Sequence, residues 1–558
     1  MGRAEDARLA AVVRIAPGSG AGFEVTVELR WKADLEVERA ALRLRLAGRA
    51  RALGRDLRLA EVRAPLRADL GTPVLVLGGG LAVVGGPGLA GALAEPDRGG
   101  GTEVALLLDD AGAHPFSVYE RCLERLPPAR SQGYWAALER KRPLARVRRS
   151  AGDRSGAAFQ LLPLREGAAP LPLVVERWRG PARAALVFTD HADRTDPAAL
   201  RAVLWGDSER GAPGYGRGGI LGRGLAITKS FFARGRIGGL LDDPEAAAVA
   251  RELAAAGSEV ALHSPGPGPD DRAAVRAALA ALAPFHLVTW IDHEPYTNCE
   301  AFSSQGWRAG GRFGIRDLLV EAGFRWIWEA NDLGGFGRAR LENLFTAVRP
   351  GDADPPVYPL PADPRLWVFQ STFFYAPPAA LGAALSERAL RTLEEAGGLF
   401  VGHTYLSASS RTTRDPVQLS RLAVRPRPGG GLEIDPDLDA GLARAAARVR
   451  AGSLAALTVR EAGDRLRAVA AVRLVYLADG GARVENHGAG PVPGLLLRLP
   501  AGATPEVDGA GAGGHVTAAG QSLVFFDLGP GEAAVVHARG PRGPIPFLEA
   551  EPSATLAP

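Results

Sequence analysis

The sequence predicts a mixed α/β protein, in which a distorted (β/α) barrel is flanked by antiparallel β domains on its amino- and carboxy-terminal sides. Three observations lead to this prediction. Strands alternate with helices only in the middle of the chain, while apolar and polar residues alternate with period two before and after it. In addition, 558 residues are more than one ordinary hydrophobic core accommodates.

The predicted domains follow one another along the chain. Residues 1–150 predict a β-rich domain, because FEVTVELRW and ALRLRLAG alternate with period two, and 151–180 predict a connection rich in Gly and Pro. Between 181 and 445, helical patterns such as PEAAAVARELAAAG and DRAAVRAALAAL each precede a short apolar strand, which is typical of parallel strands with crossover helices. Residues 450–548 return to alternation, beginning with LRAVAAVRLVYLA, and predict a β-sandwich.

Composition argues against two classes of partner. A net charge of +4 is small for this length, and the basic clusters lack interleaved aromatic residues, so we expect no nucleic acid partner. The uncharged stretch 71–94 contains many glycines and two prolines, which predicts two short strands joined by Gly turns and no membrane span.

The two cysteines, Cys122 and Cys299, lie far apart in sequence and in different predicted domains. We therefore expect neither a disulfide framework nor a cysteine zinc site. The first residues contain no apolar run of signal-peptide length, which predicts a cytoplasmic location, or an extracytoplasmic one if the true start lies upstream.

Candidate catalytic side chains gather at the ends of the middle strands. The stretch VFTDHAD places Asp190, His191 and Asp193 directly after a buried apolar run. Three further histidines end other strands: His263, His293 and His403. In a (β/α) barrel these strand ends open on one face, where the active site lies. Carboxylate and imidazole ligands there predict a divalent metal ion, in the first instance Zn²⁺.

These residues in this order resemble the polysaccharide deacetylase superfamily, metal-dependent carbohydrate esterases on a distorted (β/α) barrel, over about 181–410. Phe188-Thr189-Asp190 is similar to the start of the family's Thr-Phe-Asp-Asp motif, with the second Asp displaced to Asp193. GSEVALHS, from Gly257 to Ser264, matches the family's Gly-x-Glu-Ile-x-x-His-Ser/Thr pattern, although Pro267 stands where the family has a second His. The WIDH strand and the GHTYL segment are similar to motifs of divergent members.

The resemblance implies a role for each of these residues. It implies Asp190 as the catalytic base and His403 as the acid on the leaving group. The implied metal ligands are Asp193, His263 and His293, with His191 as an alternative ligand. The implied substrate contacts are Trp290, Asn298, Glu300 and Tyr405, and Lys229 and Arg223 are further candidates.

The implied function is removal of an acetyl group from an N-acetylated amino sugar or polysaccharide, with a glycan as the partner. Two alternatives stay open. The same metal site could serve O-deacetylation or glycosidic cleavage, or the chain could be a non-catalytic glycan-binding protein on a degenerate barrel, since the second His is missing.

Overall fold

The computed structural model of the 558-residue chain describes two long stretches without interruption, 173–332 and 377–509. The other described residues are 2–5, 7–18, 22–37, 40–46, 48–53, 59–62, 66–68, 75–78, 81–85, 91–96, 99–108, 116–123, 140–144, 147–163, 357–371, 373–374, 513–518 and 521–539. The predicted connection lies partly outside them, at 164–172, and so does the predicted carboxy-terminal domain, at 510–512, 519–520 and 540–548.

The amino-terminal region is built from short antiparallel strands. They are β1 (Gly2–Glu5), β2 (Leu9–Pro17), β3 (Phe23–Trp31), β4 (Leu35–Val37), β5 (Ala41–Leu46), β6 (Arg51–Leu53), β7 (Leu59–Glu61), β8 (Leu66–Ala68), β9 (Leu75–Gly78), β10 (Leu81–Val84), β11 (Gly91–Pro96), β12 (Thr102–Leu107), β13 (Phe116–Tyr119), β14 (Lys141–Leu144), β15 (Val147–Arg149) and β16 (Arg154–Pro163). Two larger sheets, ordered β1-β2-β3-β16-β10-β9-β6-β7 and β5-β12-β11-β8, share one apolar core.

Two predictions for this region can be compared with the sheets. Strand β16 lies between β3 and β10, so the amino-terminal sheet extends to residue 163, beyond the predicted boundary at 150. The stretch 71–94 contains β9 and β10, which pair with each other as the predicted short strands. No helix in the described parts of the chain is long and apolar enough to cross a membrane.

A curled, mostly parallel sheet of ten strands forms the middle of the molecule. After β17 (Val174–Glu176), its strands are β18 (Ala184–Asp190), β19 (Ile227–Phe231), β20 (Glu259–Leu262), β21 (Thr289–Ile291), β22 (Trp326–Asp332), β23 (Val357–Leu360), β24 (Asp363–Ser371), β25 (Phe373–Phe374), β26 (Leu399–Thr404) and β29 (Leu454–Ala456). The order is β23-β24-β22-β21-β20-β19-β18-β26-β25, and β29 pairs with β18. Among the described strands of this sheet, only β23 and β24 pair antiparallel.

Helices connect and cover these strands. They are α1 (Pro197–Trp205), α2 (Gly219–Gly222), α3 (Pro244–Ala255), α4 (Arg272–Leu282), α5 (Arg316–Glu321), α6 (Leu381–Ala384), α7 (Glu387–Ala396), α8 (Pro416–Leu419) and α9 (Pro436–Arg450). Asp196, Asp243 and Asp271 cap α1, α3 and α4 by accepting amide hydrogens of the first turn, which fixes where these helices begin. The helices predicted from PEAAAVARELAAAG and DRAAVRAALAAL are confirmed.

The uniform burial of β18 explains its sequence. All seven residues of AALVFTD are buried, because parallel strands on either side and helices over the faces leave no side exposed to water. The polar residues that end such a strand must therefore find partners at its carboxyl edge.

The carboxy-terminal part contains two antiparallel sheets around a common core. Its strands are β30 (Val472–Tyr476), β31 (Ala482–Asn486), β32 (Val492–Leu499), β33 (Thr504–Asp508), β34 (Gly513–Ala518), β35 (Gln521–Leu528) and β36 (Ala533–Arg539). The sheets are ordered β17-β32-β35-β34 and β30-β31-β36-β33, so β17, in the predicted connection, belongs to this part. Strands β27 (Val424–Pro426) and β28 (Leu432–Ile434) form a separate hairpin.

The start of the carboxy-terminal region differs from the prediction. The segment LRAVAAVRLVYLA was expected to be a strand, but its first residues belong to helix α10 (Val459–Ala470), and only Val472–Tyr476 form a strand. A capping box explains the difference, because the Thr458 and Glu461 side chains each bond the other's backbone amide at the start of the helix.

A disulfide overturns the expectation for the cysteines. Cys122 and Cys299 are bonded to each other, with Cα atoms 5.5 Å apart across 177 positions of sequence. The fold brings the segment after β13 against the loop after β21. The two cysteines are therefore close in space although they are far apart in sequence. The bond links the amino-terminal region to the central sheet.

Candidate metal centre

Imidazoles from neighbouring strands meet at one edge of the central sheet. His191 follows β18, His263 follows β20, His293 lies two residues beyond β21, and His403 is the penultimate residue of β26. Because these strands are parallel neighbours with β19 among them, their carboxyl ends lie at the same edge. The fold thus brings together the four histidines that the sequence analysis singled out.

Asp193 lies between two of these imidazoles. Its Oδ1 is 2.8 Å from Nε2 of His293, and its Oδ2 is 3.0 Å from Nε2 of His263. The Asp193 side chain is 18% exposed, whereas the side chains of His263 and His293 are 1% and 7% exposed. The carboxylate is therefore the part of this trio that is nearest to solvent.

His191 adds a third imidazole to the group. Its ring stacks on that of His403 with centroids 3.9 Å apart, and its centroid is 5.2 Å from that of His263. Ligand atoms of His191, Asp193 and His263 all lie within 4.8 Å of one another, so one ion could contact all three. Within the described part of the chain, the buried Nε2 of His191 has no hydrogen-bond partner.

The hydrogen bonds around His293 test whether a cation fits. Asn298 Nδ2 lies 2.8 Å from the Gly268 carbonyl and 2.8 Å from Glu300 Oε1, so the amide nitrogen faces acceptors and Oδ1 faces His293 Nδ1 at 3.1 Å. This pattern assigns a proton to Nδ1 of His293. The other nitrogen, Nε2, then directs a lone pair at a carboxylate oxygen unless a proton or a metal ion lies between them. The donor set fits a divalent ion.

Burial and charge set the protonation of the cluster. Burial lowers the pKa of His263 to about 4, and burial with repulsion from His403 holds the pKa of His191 well below its usual range. Burial also acts on His293, but the Asp193 carboxylate outweighs it and raises the pKa to about 8. Burial opposes ionisation of Asp193, yet the two imidazoles hold its pKa well below the ordinary value. At neutral pH, His191 and His263 are thus neutral and can donate lone pairs to an ion.

Asp190, predicted to be the catalytic base, lies behind this cluster in an ion pair. Its Oδ2 is 3.0 Å from Lys229 Nζ and accepts the Ser407 hydroxyl at 2.6 Å, and its Oδ1 accepts the amides of Leu406 at 2.5 Å and Ser407 at 3.4 Å. Both charged side chains are fully buried. Four donors occupy the carboxylate, so one of them must move before Asp190 can take a proton. Its role as base stays a prediction.

Lys229 is the residue whose role the sequence analysis missed. It was considered as a substrate contact, but its ammonium pairs with Asp190 and donates to the His191 carbonyl at 2.9 Å and the Thr195 hydroxyl at 2.7 Å. The signal was present in ITKSFF, since a Lys inside an apolar strand requires a buried counter-charge. Arg223, the other candidate contact, pairs with Asp439.

Trp290 does not lie where a substrate could reach it. The side chain is 0% exposed within the main core, and its indole nitrogen donates to Asp292 Oδ1 at 2.8 Å. Asp292 also accepts the amides of Phe302 and Ser303 at 2.7 Å, so both residues stabilise the loop after β21. The predicted substrate contact is corrected to a structural role.

Asn298 and Glu300, also predicted to contact substrate, lie behind His293. Both are 0% exposed, and burial raises the pKa of Glu300 to about 8. Pro267, where the resemblance expects a second His, sits between Gly266 and Gly268, whose carbonyls accept the Asn298 amide at 3.3 and 2.8 Å. The loop that lacks the His thus orients the partner of His293.

Tyr405 lies beside His403 at the cluster. The Tyr405 hydroxyl is 3.2 Å from Nε2 of His403, and the guanidinium carbon of Arg194 is 5.9 Å from the centre of the Tyr405 ring. Tyr405 is partly exposed, so a ligand can approach it. Its substrate role stays a prediction.

Comparison with known proteins adds little to this geometry. No family model and no curated protein matches the chain. Among solved structures, it is similar to a glycoside hydrolase family 30 subfamily 8 xylanase, Xyn30A, from Clostridium acetobutylicum, with 8% identity and a TM-score of 0.20. The match covers 66% of this chain and 98% of that one. At that TM-score the similarity carries no argument about fold or function.

Proposed function

We propose that this chain is a metal-dependent hydrolase that removes the acetyl group from an N-acetylated amino sugar or polysaccharide. One observation carries the proposal: a carboxylate, Asp193, is held between two imidazoles at the carboxyl edge of a parallel sheet, next to the unpartnered Nε2 of His191. The curled sheet is, in this proposal, a distorted (β/α) barrel. The choice of an acetyl group on a sugar as the substrate rests on the motif resemblance to polysaccharide deacetylases.

The residues that would hold the ion are Asp193, His263 and His293, with His191 close enough to join them or to take the place of one. A divalent ion in this cluster supplies Lewis acidity, which polarises an acyl carbonyl and makes a water easier to deprotonate. The Asn298 side chain orients His293 for that task by holding the proton on Nδ1.

The remaining residues handle protons. In the proposed hydrolysis, water and an amide give acetate and an amine, so one proton must leave the water and one must reach the amine. His403, stacked on His191, is assigned to protonate the amine. Asp190 is assigned to accept the proton of the water once Lys229 or Ser407 releases one of its oxygens.

A non-catalytic glycan-binding protein is the second candidate, and the position of Asp190 favours it. A carboxylate whose acceptor sites are filled by Lys229, Ser407 and the Leu406 amide is equipped to stabilise a fold without any chemistry. The alternative reactions, O-deacetylation and glycosidic cleavage, would use the same cluster.

Metal content and acetate release test the proposal together. We expect about one ion per chain in the purified protein, and loss of both the ion and acetate release from chitin-type oligosaccharides in His263→Ala and His293→Ala. His487→Ala is the matched control, because that imidazole is exposed and pairs with Glu485 in the carboxy-terminal region. Absence of metal from the wild type would overturn the proposal in favour of the binding protein. Bound metal without acetate release would contradict N-deacetylation and favour another hydrolytic reaction at the same cluster.

A further inference from the structure

The loop that carries Asn298 is fastened to the amino-terminal region at three points. Cys299 is bonded to Cys122, the Leu123 amide donates to the Tyr296 carbonyl at 2.8 Å, and the rings of Tyr119 and Tyr296 meet edge to face with centroids 6.2 Å apart. All three attachments fall within four residues of the loop, 296–299. A region distant in sequence thus determines where this short segment lies.

The fastened segment is the one that orients His293. Cys299 stands between Asn298 and Glu300, and both of its neighbours are buried side chains of the hydrogen-bond chain that ends at His293 Nδ1. A shift of the Cys299 backbone therefore moves the neighbouring Asn298 amide, whose nitrogen donates to three acceptors and whose oxygen accepts from His293. The imidazole of His293 follows, since its Nδ1 proton is directed at Asn298 Oδ1.

The loop also needs support from outside. Glu294 has a φ of 28°, a backbone conformation that a residue with a side chain rarely adopts, and the Thr297 and Asn298 amides both donate to its carbonyl, at 2.8 and 2.9 Å. Such a conformation persists only where the surrounding structure holds it. Between His293 and the π-helical turn Phe302–Gly306, the chain forms no helix or strand that could hold Glu294 in this conformation.

We propose that the Cys122–Cys299 disulfide is a positioning element of the metal centre, which holds His293 against Asp193 through Asn298. The proposal rests on the proposed metal function for its consequence, but the placement of the loop can be measured without metal. Removal of the bond should loosen residues 294–300 and weaken binding of Zn²⁺, although neither cysteine is a ligand.

The experiment compares the full-length wild type with the double variant Cys122→Ala/Cys299→Ala. In the metal-free proteins, hydrogen exchange of the amides at 294–300 should be about tenfold faster in the variant. The dissociation constant for Zn²⁺ alone, from calorimetric titration, should rise about tenfold, at the lower end of what changes to residues that orient ligands produce. A free-thiol assay of the wild type should detect none, since the chain's only two cysteines are bonded.

Two further variants separate positioning from a general loss of stability. Asn486→Ala removes a buried amide of the carboxy-terminal region that donates to Gly490 and Gly529, so it should lower stability without a change in exchange at 294–300. Tyr119→Leu keeps the disulfide and weakens the same junction, and it should give a smaller increase in exchange confined to the loop. It also provides the test if the double variant does not fold.

The outcomes distinguish the two proposals. Unchanged exchange at 294–300 in both junction variants would overturn the positioning role, even if the wild type binds Zn²⁺ tightly. Faster exchange in the loop of a protein that binds no Zn²⁺ would support the positioning of His293 and overturn the metal function. Faster exchange with weaker Zn²⁺ binding supports both.

Discussion

Two carboxylates three positions apart, Asp190 and Asp193, have opposite surroundings. Asp190 is fully buried and its charge is balanced by one ammonium, that of Lys229, 3.0 Å away. Asp193 is partly exposed and contacts the imidazoles of His263 and His293, which carry a charge only when protonated and could instead bind a metal ion. The difference teaches that the fold neutralises the Asp190 carboxylate with its own donors, whereas the Asp193 carboxylate stays accessible to a ligand.

The largest effect on stability should come from breaking the buried ion pair between Asp190 and Lys229. Lys229→Met leaves the Asp190 carboxylate buried beside no counter-charge, so we expect the free energy of unfolding to fall by about 3–5 kcal/mol. Urea denaturation in the presence of a chelator measures it. The double variant Asp190→Asn/Lys229→Met removes both charges and should recover part of the loss. A loss below about 1 kcal/mol in the single variant would mean that Lys229 does not carry this role.

Substitution of Asp193 should have the opposite pattern: a large loss of metal affinity and a smaller loss of folding stability. Asp193→Asn removes the charged member of the cluster, and we expect Zn²⁺ affinity to fall at least about 100-fold, since even residues that only orient ligands cost 10–100-fold. Calorimetric titration measures the affinity. Asp415→Asn, a nearby carboxylate paired with Arg194, is the control and should bind Zn²⁺ as the wild type does. Equal affinities in all three proteins would contradict the assignment.

Loss of the hydrogen bond that orients His293 should have an intermediate effect on Zn²⁺ affinity. Asn298→Ala removes the acceptor of the Nδ1 proton, so His293 is no longer oriented, and Zn²⁺ affinity should fall about 10- to 100-fold although no ligand is removed. The same titration with Asn486→Ala controls for the loss of a buried amide elsewhere. If both variants lose affinity equally, the loss reflects stability and the orienting role of Asn298 is wrong.

The smallest expected effect is on pH dependence in the absence of metal. The Asp193 carboxylate raises the pKa of His293 from 6.5 to about 8, so the stabilisation is fully present below about pH 6.5 and is lost as the pH rises through about 8. The shift corresponds to about 2 kcal/mol of unfolding free energy. Urea denaturation of the metal-free protein between pH 6 and 9 should show this decrease, and His293→Gln should abolish it. A stability that rises over this range would contradict the contact with Asp193.

The sequence pattern was a sound guide to the elements that carry the candidate site. Helices α3 and α4 appear where the helical patterns PEAAAVARELAAAG and DRAAVRAALAAL predict them, because amphipathic spacing acts within a few residues; the structure adds Asp243 and Asp271 as their caps. The segment from Leu466 to Ala470, the start of LRAVAAVRLVYLA, was predicted as part of a strand but ends helix α10, because a short run of Leu, Ala and Val satisfies either period. Local pattern decides an element only where one period clearly dominates.

Residue roles within the site were harder to predict, because they depend on through-space distances. Trp290 and Glu300 have the residue types of glycan contacts, yet both are 0% exposed. Lys229 is 39 positions from Asp190, and no local pattern reveals that the two share a buried ion pair. The cysteines were likewise expected to stay apart, and the fold joins them.

By itself, the sequence determined the alternation of strands and helices and the Asp and His side chains that end the strands, because both follow from residues close together along the chain. Only the tertiary structure decided that Asp193 faces the imidazoles while Asp190 is neutralised by Lys229, and that a disulfide from the amino-terminal region holds the loop behind His293. The reason is that the free energy of a buried charge depends on which groups lie within a few ångströms of it, and those groups come from separate strands.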